Sequence, residues 1–416
     1  MKVLWVINIV LPTIAKDFDL PVAAGGGWLL QTSDFLSKSK EIELVISFPQ
    51  SKSKYLVSKT INGVTYYGFP TRYKNHFLES FNEIYSSERP DLIHIWGTEY
   101  PHSHYAVMAA PDISKVVVSI QGLLSVYAKH SYSNIPPFIV AQSTLRDLIR
   151  LDNIYLRMKK YERQGKLEVL TLSKVQNVIG RTDWDYASVK LINSITKYYH
   201  CNENMRYKFY ESIWTLTNCE PYSIFTTQYD NPIKGFHNSI KSFLLVLQNF
   251  PSARLYTTGE NVFTVKWYKK TTYQKYIQGL IKKNKIQDKV VFLGNLNEEE
   301  MISRYIKSNV FLLSSSIENS PNVVGEAMLL GVPVVVSNVG GVSNLLSHGV
   351  EGYLFQHNAP YMSAHYICNV FNSKEIAVVF SDNSRKKAST THNATVNNKV
   401  MCKIYERITS IPLENN

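Results

Sequence analysis

Short apolar runs and helical periodicities alternate along most of this chain. Val3–Val10 is a β-prone apolar run, long enough for a buried strand and too short to cross a bilayer. A loop with Pro12 and Pro21 follows, then Gly25, Gly26 and Gly27, then helical spacing over Trp28–Leu36. Further strands are predicted at Glu43–Ser47, Asp91–His94, Val116–Ile120 and Val175–Ile179. A β-rich insertion over Tyr55–Tyr67 turns at Asn62-Gly63, and a helix lies near Phe81–Ser87.

The second half repeats the grammar without repeating the sequence. Strands are predicted at Tyr222–Thr226, Ala253–Tyr256, Val290–Phe292, Val310–Ser314 and Val332–Val336. Helices are predicted at Gly235–Phe250, Tyr273–Lys285, Glu298–Ser308 and Val323–Leu330. Short buried strands spaced by helices imply α/β architecture: two doubly wound, Rossmann-like domains facing a central cleft. The expected division is 1–205, 206–380 and a helical segment 381–416 that could pack on either lobe. The stretch from Tyr198 to Pro221 shows no clean strand and holds the boundary.

Composition narrows the classes. The 416 residues are 44% hydrophobic, which excludes disordered, collagenous and coiled-coil chains. The four cysteines (Cys201, Cys219, Cys368, Cys402) form no CxxC pair, so a zinc ribbon or a bridged secreted framework is not indicated. No run reaches membrane-spanning length and no cleavage site follows the N-terminal strand, so a cytoplasmic protein is expected. The net charge of +12 favours anionic partners. Lys38, Lys40, Lys52, Lys54 and Lys59 cluster, as do Arg157, Lys159, Lys160, Arg163 and Lys166. They read either as solvated faces or as peripheral contact with an anionic membrane. Nucleic acid is not expected, because no recognition helix or aromatic RNA module accompanies the charge.

The richest chemistry lies in Ser314–Gly331, SSSIENSPNVVGEAMLLG. A strand ends near Ser314, a polar loop follows, and a helix opens close to Asn322. Backbone N–H groups at such a helix start, at Asn322 and Val323, can hold a diphosphate without a basic side chain. Glu318 precedes this anion site and Glu326 lies behind it. Carboxylates accept well from vicinal hydroxyls, which assigns Glu326 to a ribose diol and Glu318 to a sugar. The plainer alternative has Glu318 capping and Glu326 solvated. Lys234, in FTTQYDNPIKG after another strand, can reach the same diphosphate and stabilise a departing nucleoside diphosphate. Its plainer alternative is a surface lysine before a helix.

The E-x7-E pair Glu318/Glu326, followed by AMLLG and PVVV, resembles the donor-site signature of the retaining family 4 glycosyltransferases. IHIWGTEYPH, IGRTDWD and YYHCNE look like its capsule- or exopolysaccharide-building branch. The resemblance covers nearly the whole chain. It implies a GT-B fold, with a nucleoside-diphosphate sugar on the C-terminal domain and the acceptor on the N-terminal one. It also implies no cofactor and no metal, and transfer to a saccharide hydroxyl, with a lipid-linked glycan as the expected carrier. The implied mechanism is front-face attack, in which the leaving phosphate oxygen accepts the acceptor's proton. By the same resemblance, base binding falls to the backbone around Leu293, Gly294 and Asn295, and Gly26 and Gly27 lie near donor phosphates or acceptor.

Two departures stand out. The family's usual Arg before Lys234 is missing, since Gln228-Tyr229 occupies its place; Arg181 is a candidate substitute, and equally a partner for an acceptor diphosphate or a structural Arg–Asp pair. Many members have His where Gln121 stands, and Gln121 can hydrogen-bond a hydroxyl but cannot carry a proton. Gly340-Gly341 reads either as a close approach to the ligand or as a plain turn. Trp96, Tyr100 and Glu99 are sugar-contact candidates, and zinc binding by His94, His102 and His104 is disfavoured. His200, Glu203 and Arg206 are acceptor-site or hinge candidates. The non-enzymatic alternative is a catalytically degenerate nucleotide-sugar-binding partner or regulatory subunit.

Overall fold

A computed structural model describes residues 1–22, 27–71 and 75–413. They fold into two compact units. The chain passes between them at 125/126, 161/162, 206/207 and 391/392. The first unit contains 1–125, 162–206 and 392–416; the second contains 126–161 and 207–391.

The first unit is built on one sheet. Its strands are β1 (Lys2–Val6), β2 (Glu43–Gln50), β3 (Val57–Ile61), β4 (Val64–Pro70), β5 (Leu92–Trp96), β6 (Val116–Ser119), β7 (Asn177–Gly180) and β8 (Lys197–His200). They lie in the order β3-β4-β2-β1-β5-β6-β7-β8, all parallel except the β3–β4 hairpin, which turns at Asn62-Gly63. Strands β5, β6 and β7 are buried along their whole length, as expected of parallel strands covered on both faces. The core joins Trp5, Leu44, Ile46, Leu92 and Trp96 to Met401, Ile404 and Tyr405 of the last helix, Ala394–Thr409. Tyr405 is tied in by polar bonds as well: its hydroxyl accepts from Trp5 Nε1 at 3.0 Å and meets His94 Nδ1 at 2.6 Å.

The second unit holds β9 (Glu220–Thr226), β10 (Arg254–Thr257), β11 (Val290–Phe292), β12 (Ser308–Leu313), β13 (Val334–Ser337) and β14 (Gly352–Phe355). The order β11-β10-β9-β12-β13-β14 is wholly parallel. This is the doubly wound order, reversing between β9 and β12.

Sequence expectation and structure differ in three places. Residues 126–161, expected in the first domain, group with the second unit, held by polar bonds that local sequence does not announce. His237 Nε2 lies 2.6 Å from the Ser133 carbonyl, and Thr272 Oγ1 donates to Asp147 Oδ2 at 2.6 Å. Helix Lys374–Thr391 groups with the second unit and only the residues after it with the first. Strands β8 and β14 were not anticipated: KYYH is a half-exposed edge, and GYLF opens on a glycine.

Candidate functional site

Open parallel sheets bind ligands outside the carboxyl ends of the strands, where the strand order reverses. In the second unit that point lies beyond Thr226 of β9 and Leu313 of β12. The loop after β9 ends in a single helical turn, Pro232–Lys234, and its Ile233 carbonyl accepts from Ser316 N of the β12 loop at 2.8 Å. Gly235 makes the approach feasible: its φ is +70°, and a Cβ there would stand 1.9 Å from the Ser314 carbonyl oxygen.

The two loops bring Lys234 and Glu318 together. Lys234 Nζ donates to Glu318 Oε1 at 2.7 Å, and Ser315 Oγ donates to the same oxygen at 2.7 Å. Glu318 is only 5% exposed. Its backbone is clamped from the loop after β13: Gly341 N donates to the Glu318 carbonyl at 3.1 Å. A Cβ on Gly340, whose φ is +55°, would stand 1.8 Å from that same oxygen. The glycine pair therefore makes a close approach to Glu318, the residue that faces Lys234.

Helix Asn322–Leu330 begins right after this loop. Pro321 occupies its N-cap and no side chain caps it. Its leading N–H groups, at the half-buried Asn322 and Val323, therefore present positive partial charge beside the Lys234–Glu318 pair. Glu326 stands one turn beyond Asn322 and on the same face. It is 6% exposed, which overturns the reading of a solvated carboxylate.

Other second-unit candidates are placed differently. Gly294 has both backbone groups bonded to Gly259, at 2.8 and 3.1 Å, so its N–H is already engaged. Tyr229, at the place of the missing arginine, is fully buried against Phe236 and Phe292, with its hydroxyl donating to the Glu260 carbonyl. Cationic groups reach that loop from elsewhere. Arg146, Arg157 and Lys269 line a cavity of about 370 Å³ with Gln228, Asp230 and Asn231. Arg146 and Arg157 lie in 126–161, which the sequence reading assigns to the other domain.

In the first unit Gly26 lies outside the described residues, and Gly27 is the buried first residue of helix Gly27–Ser37. Arg181, after β7, is buried and ion-paired with Glu203, after β8. Gln121 Nε2 donates to the same Glu203 oxygen at 2.7 Å. The ion partner of Arg181 is thus Glu203, an acceptor it shares with Gln121. Asp185 instead accepts from Arg181 N at 3.0 Å and caps helix Asp183–Ile192 through Thr182. Trp96 is buried and packed between Trp5 and Trp28, so it is not a free stacking face; Tyr100 is 50% exposed. His94 sits between Tyr405 and Ser119, and burial pushes its pKa down to about 3. Glu99 accepts from Gly122 N at 2.9 Å, and its pKa is pushed up to about 7, chiefly by loss of hydration, with Glu168 adding repulsion. Its area is partly open, yet protein surrounds the carboxyl itself. Among the described residues no cluster of His, Cys, Asp and Glu could hold a metal ion.

Comparison with known proteins adds to this geometry. Residues 216–387 match the family model "Glycosyl transferases group 1". Putative glycosyltransferase YtcC of Bacillus subtilis is 23% identical, over 84% of this chain and 80% of its own length. Mannosylfructose-phosphate synthase of Agrobacterium fabrum is 31% identical over 118 residues, 28% of this chain and 25% of the relative. Among solved structures, sucrose-phosphate synthase from Thermosynechococcus elongatus superposes with a TM-score of 0.73 at 16% identity, over 99% of this chain and 100% of that one. HepE of Anabaena, in a complex with UDP-glucose, gives 0.69 at 15% identity over 99% and 100%. At these identities the solved structures bear on the fold.

Proposed function

We propose that this chain, a glycosyltransferase of the GT-B fold, moves a hexosyl group from a nucleoside-diphosphate sugar to a saccharide hydroxyl with retention of configuration. The acceptor is a growing glycan carried on a lipid diphosphate, as in capsule or exopolysaccharide assembly. The observation that carries the reading is the Lys234–Glu318 pair, at 2.7 Å, beside the uncapped start of helix Asn322–Leu330.

The donor diphosphate takes the N–H groups of Asn322 and Val323. Lys234 turns from Glu318 to a phosphate oxygen, and Glu318 accepts from sugar hydroxyls in its stead. Glu326, one turn deeper, accepts from the ribose diol. As the anomeric carbon–oxygen bond breaks, charge accumulates on the departing phosphate, so the Lys234 ammonium stabilises the transition state more than the ground state. The acceptor oxygen bonds to the anomeric carbon on the same face and its proton passes to that phosphate oxygen. This route asks no proton of Gln121, whose amide is bonded to Glu203.

Thermal-shift screening against nucleoside diphosphates and their sugars identifies the donor. Nuclear magnetic resonance of the product then reads the anomeric configuration. Retention is expected; an inverted product, or no stabilisation by any nucleotide, contradicts the reading.

A further inference from the structure

Helix Leu145–Arg150 has its polarity reversed. A surface helix ordinarily buries its leucines and exposes its charges. Here the inward residue is Asp147, whose side chain is 1% exposed. It accepts from Thr272 N at 2.8 Å and from Thr272 Oγ1 at 2.6 Å, at the start of helix Thr272–Lys283. Arg146 bridges Asp147 and Asp152. Burial works against ionising Asp147, but the bonds from Thr272, Thr144 and Arg146 outweigh it and hold its carboxyl below the usual range.

The outward face is apolar. Leu145, Leu148 and Ile149, spaced i, i+3, i+4, are 46%, 61% and 74% exposed. Leu151 follows at 73%, held at φ +51°, a left-handed conformation that leucine rarely adopts. Phe138, nearby in sequence, is 65% exposed. No gain in folding stability explains so much apolar surface left in water.

The segment that carries this face is basic. Residues 126–161 carry six basic side chains (Lys129, Arg146, Arg150, Arg157, Lys159, Lys160) and two acidic ones, Asp147 and Asp152, both already bonded to Arg146. Arg150, Lys159 and Lys160 are exposed. Exposed aliphatic side chains on a basic segment match the interfacial zone of an anionic bilayer, where the aliphatic tips enter the acyl boundary and the cations meet headgroup phosphates.

We infer that Leu145–Leu151, anchored from behind by Asp147, is the surface by which this protein docks on an anionic lipid bilayer. The inference rests on the reading of a lipid-carried acceptor and deepens it. It narrows the membrane contact from the two basic stretches, Lys38 to Lys59 and Arg157 to Lys166, to a segment of the second unit.

The test is cosedimentation with vesicles of phosphatidylcholine, with and without phosphatidylglycerol, comparing the intact chain with a Leu148→Ser/Ile149→Ser double variant and with Arg150→Glu. These side chains are exposed, so all three proteins should unfold at the same temperature. The expected result is binding to the anionic vesicles, weakened at least tenfold in the double variant and by a smaller, salt-sensitive factor in Arg150→Glu. Unchanged vesicle binding in the double variant overturns the proposal. So does an intact chain that ignores vesicles and forms dimers which the double variant abolishes, since the patch then belongs to a second copy. Transfer from a sugar nucleotide to a short soluble saccharide is measured alongside. Its absence in every protein, with vesicle binding behaving as expected, counts against the donor-site reading and leaves the docking surface standing.

Discussion

Lys234 and Glu318 are 84 residues apart in sequence and 2.7 Å apart in space. Each holds the other in position. Arg181 and Glu203 form a second ion pair, in the first unit, with both side chains buried, and a structural role is predicted for it. Removing one partner leaves a buried charge unmatched. Arg181→Met is therefore expected to lower unfolding stability by about 3–5 kcal/mol in denaturant titration, with nucleoside-diphosphate affinity unchanged. A fall in affinity without a fall in stability would return Arg181 to the donor site. Glu318, Asn322 and Glu326 were legible as candidates because one continuous stretch carries them. The fate of Arg181 was not, since its partner follows β8, a strand that tyrosine-rich KYYH did not disclose.

Elements place these side chains through two close backbone approaches. Gly340 has a positive φ and no room for a methyl group against the Glu318 carbonyl. Gly340→Ala is expected to shift the Glu318 loop and weaken donor binding about tenfold or more, read by calorimetry, while circular dichroism stays unchanged. The last helix is fixed by Tyr405, whose hydroxyl serves Trp5 and His94 at once. Tyr405→Phe leaves the buried Trp5 N–H without its acceptor and should cost about 1–3 kcal/mol, with the C-terminal helix becoming the first site of limited proteolysis. Most elements were readable from apolar runs and helical spacing. The segment 126–161 was misassigned for a physical reason: it is anchored by Asp147, Ser133 and other polar contacts, and on its helix Leu145–Arg150 the aliphatic residues face outward, the inverse of the pattern on which such reading depends.

Across the whole molecule, buried titratable groups set the response to pH. Burial holds the imidazoles of His94, His102 and His237 down to about 3 and that of His392 down to about 4. Below the ordinary histidine pKa of 6.5 the unfolded chain binds protons at these positions and the folded chain does not, so stability falls on acidification. Glu99 acts in the opposite sense. Its folded pKa of about 7 lies above its ordinary value of 4.5, so it costs stability as pH rises between them. Four imidazoles outweigh it, and Tm is expected to rise from about pH 5 to pH 7. Glu99→Gln removes the opposing contribution and should steepen that rise. A flat profile in both proteins contradicts the assignment. Among the described residues no helix is long and apolar enough to cross a membrane.

The central claim is that a diphosphate lodges at the start of helix Asn322–Leu330 under the ammonium of Lys234. Calorimetric titration of a nucleoside diphosphate into the intact chain and into Lys234→Ala tests it most directly. Loss of one charge-assisted contact predicts affinity lower by about 10- to 100-fold, with a much smaller loss for the corresponding nucleoside. Equal diphosphate affinity in the two proteins would contradict the account.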